Sequence, residues 1–149
     1  MAKPVTSMFH QLVLEIETAT PGTFTKICGL TSRGIQRSHN MNTTEVPQDC
    51  TDESLPVALE RDIQSSEITI SGSGVWAAQS HQMMLDWWYL GQKKVVRINH
   101  ANAAVGDTQY ETGAAFLVSI SNQVEKGQKV TAEIEIQFDG MPTRTAKAA

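Results

Sequence analysis

Between Ile68 and Ile98 an alternating strand runs through Ser71-Gly72-Ser73-Gly74 into the one convincing stretch of helical spacing, and a second alternating strand follows. Ile68 and Ile70 alternate with Glu67, Thr69 and Ser71, the period of two that suits a strand with one buried face. Trp76, Ser80, Met83, Trp87 and Leu90 then fall at helical spacing, which lines the bulkiest side chains along one stripe. Gly91 is placed to stop that helix. Val96 and Ile98 resume the period of two against Arg97 and Asn99. One helix over about residues 75–90, carrying all three Trp residues among many strands, argues for a mainly β chain whose antiparallel sheet packs against that helix.

The 149 residues make most simply one domain, 1–149, long enough to bury a core without disulfides or metal. No run approaches the roughly 18 apolar residues of a membrane span. The start, Met1-Ala2-Lys3-Pro4, lacks a signal-peptide core, so the expectation is a protein made in the cytoplasm without membrane contact. Twelve Lys and Arg against sixteen Asp and Glu give a net charge of −4. That argues against a sequence-reading nucleic-acid binder with a broad basic face, and it leaves room for a surface that must not stick to DNA. Cys28 and Cys50 are expected to be free thiols. A zinc set of Cys28, His39 and Cys50 can be drawn, but structural zinc spacings rely on close ligand pairs and none occurs here.

Leu12, Leu14 and Ile16 alternate with Val13, Glu15 and Glu17, and Thr20-Pro21-Gly22-Thr23 follows as a turn, so a hairpin returning over Phe24 to Leu30 is expected. Residues 31–62 keep no sustained period and are crowded with Asn, Thr, Asp, Ser and Pro. They read as a long loop arm. Loops beyond about 12–15 residues are uncommon in compact domains unless functional, so the arm is expected to reach a neighbour. Leu55, Val57 and Leu59 alternate within it and are candidates to become strand on contact. Farther on, Phe116, Val118 and Ile120 alternate against Leu117, Ser119 and Ser121. Val130, Ala132, Ile134, Ile136 and Phe138 alternate with Thr131, Glu133, Glu135, Gln137 and Asp139, giving one apolar and one acidic face. The tail, residues 141–149, is expected to be mobile or ordered only by a neighbour.

No catalytic constellation stands out. His10, His39, His81 and His100 are scattered, with no His-Glu-x-x-His or Gly-x-Ser-x-Gly setting. Ser71-Gly72-Ser73-Gly74 lacks the Gly-Lys-Ser/Thr ending of a phosphate loop, and the better reading is a sharp turn from strand to helix with Ser73 as N-cap. Trp87-Trp88-Tyr89 point in different directions from a helix, which favours core packing for Trp87 and an interface role for Trp88. Lys93, Lys94 and Arg97 fit a small phosphate patch, and a solvated strand edge explains them as well. Glu133 and Glu135, taken alone, are the wet face of a sheet. The expectation is a non-enzyme with no catalytic residue, cofactor or metal.

The order of elements carries more. Lys26-Ile27-Cys28-Gly29-Leu30-Thr31, Ile68-Thr69-Ile70-Ser71-Gly72-Ser73-Gly74, Val95-Val96-Arg97-Ile98 and the alternating last strand resemble, in order, segments of the major tail tube proteins of long-tailed, siphovirus-like phages and phage-like gene transfer agents. The resemblance covers roughly residues 5 to 140. It implies an antiparallel β-sandwich or partial barrel with a flanking helix, forming hexameric rings that stack into a hollow tube for DNA. Carboxylates lining the bore would repel phosphate, with Glu133 and Glu135 the first candidates and Glu15, Glu17 and Glu67 behind them. Leu55, Val57, Leu59, Trp88, Arg144 and Lys147 become candidates for subunit contacts. The implied partners are copies of the same chain, a tape-measure protein, a tail-tip or baseplate complex, and DNA passing without specific binding. The implied place is the virion tail, assembled in the host cytoplasm. Competing readings are a secretion-system tube subunit and a small-ligand-binding β-barrel closed by the Trp-bearing helix, with a hydrolase the weakest.

Overall fold

The computed structural model describes residues 2–18 and 20–149. After a 3-10 turn at Phe9–Gln11 come β1 (Leu12–Glu17), β2 (Phe24–Lys26), β3 (Leu30–Val46), β4 (Ala58–Val75), α1 (Ala78–Leu90), β5 (Lys94–His100), β6 (Thr108–Gln123), β7 (Thr131–Phe138) and β8 (Thr143–Ala146). All eight strands belong to one antiparallel sheet in the order β2-β1-β5-β6-β7-β4-β3, with β8 added to β6. The long β6 serves two layers, pairing β5 over Tyr110–Ala115 and β7 over Ala115–Gln123. This lets the sheet roll over itself. Leu14 and Ile16 of β1 and Val96 and Ile98 of β5 share one core with Ile68, Ile70, Ile134, Ile136 and Phe138 of β4 and β7. The roll stays open, because its end strands β2 and β3 do not pair.

The helix fills the interior from one side through Ser80, Met84 and Trp87. Trp87 is 1% exposed, and its indole N–H donates to the Gln92 carbonyl at 2.8 Å, as a buried Trp requires. Leu90, expected on the same stripe, is exposed. The helix begins later than expected, because β4 continues through Ser71-Gly72-Ser73-Gly74 to Val75 and Ala77 precedes the first turn without a side-chain cap. Ser73 therefore caps nothing. The glycine is needed at 74 for another reason: a Cβ there would sit 2.2 Å from the Gly29 carbonyl oxygen. At the far end Gly91 stops the helix in the left-handed region at φ 63°, its N–H donating to the Trp87 carbonyl.

Four other expectations change. Residues 31–62 are not a loop but most of a long hairpin, β3 pairing β4 from Leu30↔Gly74 to Val46↔Ala58. Only residues 47–57 form the irregular tip, so Leu55 and Val57 lie in it and Leu59 in β4. The strand expected over Phe24 to Leu30 breaks after Lys26, and a turn at Cys28–Gly29 leads into β3. A bulge between Leu117 and Ser119 shifts the alternation of β6, so that Leu117 is buried while Phe116 and Val118 are exposed. The tail is ordered by its own chain: β8 pairs β6, and the Lys147 backbone bonds Gly106 and Asp107.

Candidate functional site

The rolled sheet has one wet, four-stranded face, β3-β4-β7-β6. Apolar residues on one side of each strand enter the core, and the alternate residues are left to solvent. Along β7 these are Thr131, Glu133, Glu135 and Gln137. Ser73 and Ser121 flank Glu133, and Ser71 and Ser119 flank Glu135, so each carboxylate sits between two small hydroxyls. Glu67 joins the same side of β4, with the Ser38 hydroxyl donating to it at 3.3 Å. On β3 the matching positions are Ser32, Gly34, Gln36, Ser38 and Asn40. Among the described residues of these four strands that share this face, three are carboxylates and none is a cation.

Glu15 and Glu17 lie elsewhere, on β1. Glu15 is buried and has no free charge to present: Arg97 and Asn99 on the adjacent β5 hold its two oxygens. Arg97 lies between the Phe24 and Tyr110 rings, 4.0 and 4.2 Å from their centroids. The Glu17 carboxylate accepts the Gly22 N–H of its own hairpin turn. Sequence reading also missed Glu111, which is buried and takes both Arg37 of β3 and His100 of β5. Burial alone would raise the Glu111 carboxyl, but the hydrogen bonds and charges of Arg37 and His100 outweigh it and hold it below the usual range. The Arg37 bond also ties the open end of the roll to its middle. The signal that could have shown one such pair is charge of opposite sign on the same side of neighbouring strands, as in Glu15↔Arg97.

The wet face ends in two free edges. One is β3. The other is the second half of β6, residues 116–123, which continues past the start of β5. From the β3 side the hairpin projects as a two-stranded ribbon, since β7 pairs β4 only over Thr69–Val75. The eleven residues from Ile68 back to Ala58 reach about 33 Å at ~3.3 Å per residue. Met41, Leu55, Val57, Leu59 and Ile63 are all exposed on it. Residues 40–64 hold six carboxylates and one cation, Arg61, leaving ten carboxylates and eleven cations elsewhere. The net charge of the chain is therefore concentrated in the ribbon. Trp88 stands beside the other edge, its indole N–H donating to the Val118 carbonyl at 3.4 Å. Arg144 lies on β8 beside a groove of about 280 Å³ that Arg37, Glu67 and Glu111 also line.

Among the described residues, the space beneath the helix is no ligand chamber. Beneath the helix the space between Ile27, Met84 and Ile134 is about 10 Å³, so the Trp-bearing helix packs the core rather than roofing a pocket. Among the described residues no three His, Cys, Asp or Glu side chains are grouped to hold a metal ion, and no helix is long and apolar enough to cross a membrane.

The fold matches solved tail structures. The tail of an empty gene transfer agent particle, determined with C6 symmetry, superposes with a TM-score of 0.74 at 18% identity over 95% of this chain and all of that one. The virion of a native gene transfer agent gives 0.70 at 17% identity with the same coverage. The SPP1 tail tube gives 0.62 at 13% identity, over 95% of this chain and 80% of that one. No curated protein sequence matches significantly. The phage tail tube protein family matches residues 7–144, which takes in every strand of the sheet through the start of β8, and the chain belongs to that family.

Proposed function

We propose that this tail tube protein builds rings of six copies that stack into a hollow tube, with the β3-β4-β7-β6 face lining the bore through which DNA passes. The observation that carries the reading is a cation-free sheet face, polar apart from Val75 and Phe116, bounded by two unpaired edges on opposite sides. A free β3 edge on one copy and a free β6 edge on the next suit sheet addition, the contact that such edges invite when nothing blunts them. Because the two edges differ, the contact is head-to-tail and closes into a ring. The C6 symmetry of the gene transfer agent tail supports six.

Six four-stranded faces would make a barrel of about 24 strands. With strands ~4.8 Å apart and tilted by ~40°, its backbone diameter is about 48 Å. Side chains of roughly 5 Å on each side leave an opening near 40 Å, wide enough for duplex DNA. Glu67, Glu133 and Glu135 then present fixed negative charge to a moving polyanion, and the serines around them offer it little to hold. The ribbon and β8 supply further contacts between copies, with Leu55, Val57, Leu59, Trp88, Arg144 and Lys147 as interface residues. Growth starts on a tail-tip or baseplate complex around a tape-measure protein, in the host cytoplasm, and the product is part of the virion tail. The role is architectural and requires no turnover.

The test is a concentration series of the purified protein, with and without preformed tail tips, followed by light scattering and negative-stain microscopy. Hollow tubes of uniform width are expected. A protein that stays monomeric even with tips would refute the reading.

A further inference from the structure

Two side chains interrupt the polarity of the wet face, Val75 at one end and Phe116 at the other. Phe116 is 38% exposed, and a cation from outside the four strands stands over it: the Lys93 ammonium lies 5.8 Å from the centroid of its ring. The topology brings the lysine there. β5 begins with Lys94 opposite Ala115, so Lys93 falls level with Phe116, and alternation from buried Val96 turns it to the same side. This register lies before the bulge at Leu117 and Ser119 and is not shifted by it.

Asp139 meets the lysine from the end of β7. It follows buried Phe138, so its side chain continues the wet column of Glu133, Glu135 and Gln137. Its backbone N–H donates to the Ala114 carbonyl, and its carboxylate holds the Lys93 ammonium at 2.6 Å. Both side chains are about half exposed, and a pair so solvated adds little to stability. What the pair removes is charge. Asp139 lies about 14 Å along the strand from Glu135, well beyond the ~8 Å Debye length at physiological salt, so Glu135 does not cancel Lys93. Glu67, a strand farther off on β4, accepts the Ser38 hydroxyl instead.

We propose that Asp139 is a positioning residue of the bore: it holds Lys93 over Phe116 and cancels a charge that would otherwise catch DNA phosphates. This rests on the tube reading above and adds to it a residue that keeps the bore non-adhesive by silencing a cation rather than by repelling DNA. In six copies the pairs stand around each ring at the corner where the sheet leaves the wet face for β5. A lysine already neutralised by Asp139 displaces no counterions from DNA, and that displacement drives non-specific binding. Other cations near the ends of the face are also kept beside carboxylates, Arg144 in a groove with Glu67 and Glu111, and Lys129 in one with Glu125.

The test is co-sedimentation of a short linear duplex, at 50 and 200 mM salt, with tubes of Asp139→Asn, of Lys93→Gln and of the two combined. Asn keeps the size of the side chain and loses its charge. Tubes of Glu133→Lys with Glu135→Lys serve as the reference for the bore. The expected result is retention by Asp139→Asn, falling roughly twelvefold between the two salts if each duplex engages two lysines, and none by Lys93→Gln or the combined variant. Retention by the reference tubes with none by Asp139→Asn, or retention by Asp139→Asn that survives the addition of Lys93→Gln, would overturn the proposal while sparing the tube. No retention by the reference tubes would overturn both. If Asp139→Asn and Asp139→Ser both fail to form tubes where Lys93→Gln succeeds, the carboxylate is an assembly contact and the proposal fails.

Discussion

Replacing Glu133 and Glu135 together by Lys should turn a non-adhesive bore into one that holds DNA. The two side chains lie on the same side of β7, about 6.8 Å apart, so a like-charge pair costs only about 0.6 kcal/mol in water whether both are negative or both positive. The fold and the ring should therefore survive. In six copies the wild-type face presents about 18 carboxylates from Glu67, Glu133 and Glu135. The double variant presents about 12 cations and 6 carboxylates, spaced within the ~8 Å Debye length at physiological salt, so the reversed field is not screened away between neighbours. If a duplex then contacts 6–10 phosphates, its affinity should fall by about 10³–10⁵ between 50 and 200 mM salt. Co-sedimentation of a short linear duplex with preformed tubes reads this directly: strong, salt-sensitive retention by variant tubes and none by wild type. Closed circular DNA has no end to enter the bore and should stay in the supernatant. Variant tubes of normal appearance that retain no linear duplex, or that retain circles equally well, would refute a lumen-facing assignment.

Gly74→Ala should destabilise the chain by about 1–3 kcal/mol in urea titration, because its Cβ must displace the backbone at Gly29, whereas Ser73→Ala should stay within about 0.5 kcal/mol. Glu111→Gln leaves Arg37 and His100 without their carboxylate and should cost about 3 kcal/mol. Because Glu111 titrates lower in the folded chain than unfolded, its stabilisation is complete above the unfolded value of about 4.3 and fades as pH falls through the folded one. Thermal melts of wild type should accordingly drop more steeply below about pH 4.3 than those of Glu111→Gln. Trp87→Ala should cost about 3–5 kcal/mol as a buried aromatic truncation, while Trp88→Ala should leave the monomer nearly unchanged and raise the concentration needed for assembly.

How far the sequence could be read depended on whether each strand met the core. β7 was legible residue by residue because Ala132, Ile134, Ile136 and Phe138 are all buried and every alternate side chain is polar. Gly91 was legible because a helix stop needs the left-handed region. The β3–β4 ribbon was not, since both of its sides are solvated past Asn40 and hydrophobic alternation has nothing to report there. Its Asn and Thr residues look like loop, and only the cross-strand partner on β4 makes them strand. The β6 phase failed at one bulge, which the sequence does not mark. Ser71-Gly72-Ser73-Gly74 was read as a turn because small residues suit turns, yet two of them leave room for β3 and two line a polar face. Of the five carboxylates first considered for the bore, three share the wet face. Glu15 and Glu17 alternate in the same manner, and only the fold shows Arg97 and the Gly22 turn already holding them.

The most direct measurement is a cryo-electron-microscopy reconstruction of assembled tubes. Six-fold rings with Glu67, Glu133 and Glu135 facing the bore, and β3 of each copy beside residues 116–123 of the next, are the expected result. A bore lined by α1 or by β1 and β5, with the β3-β4-β7-β6 face turned outward, would contradict it.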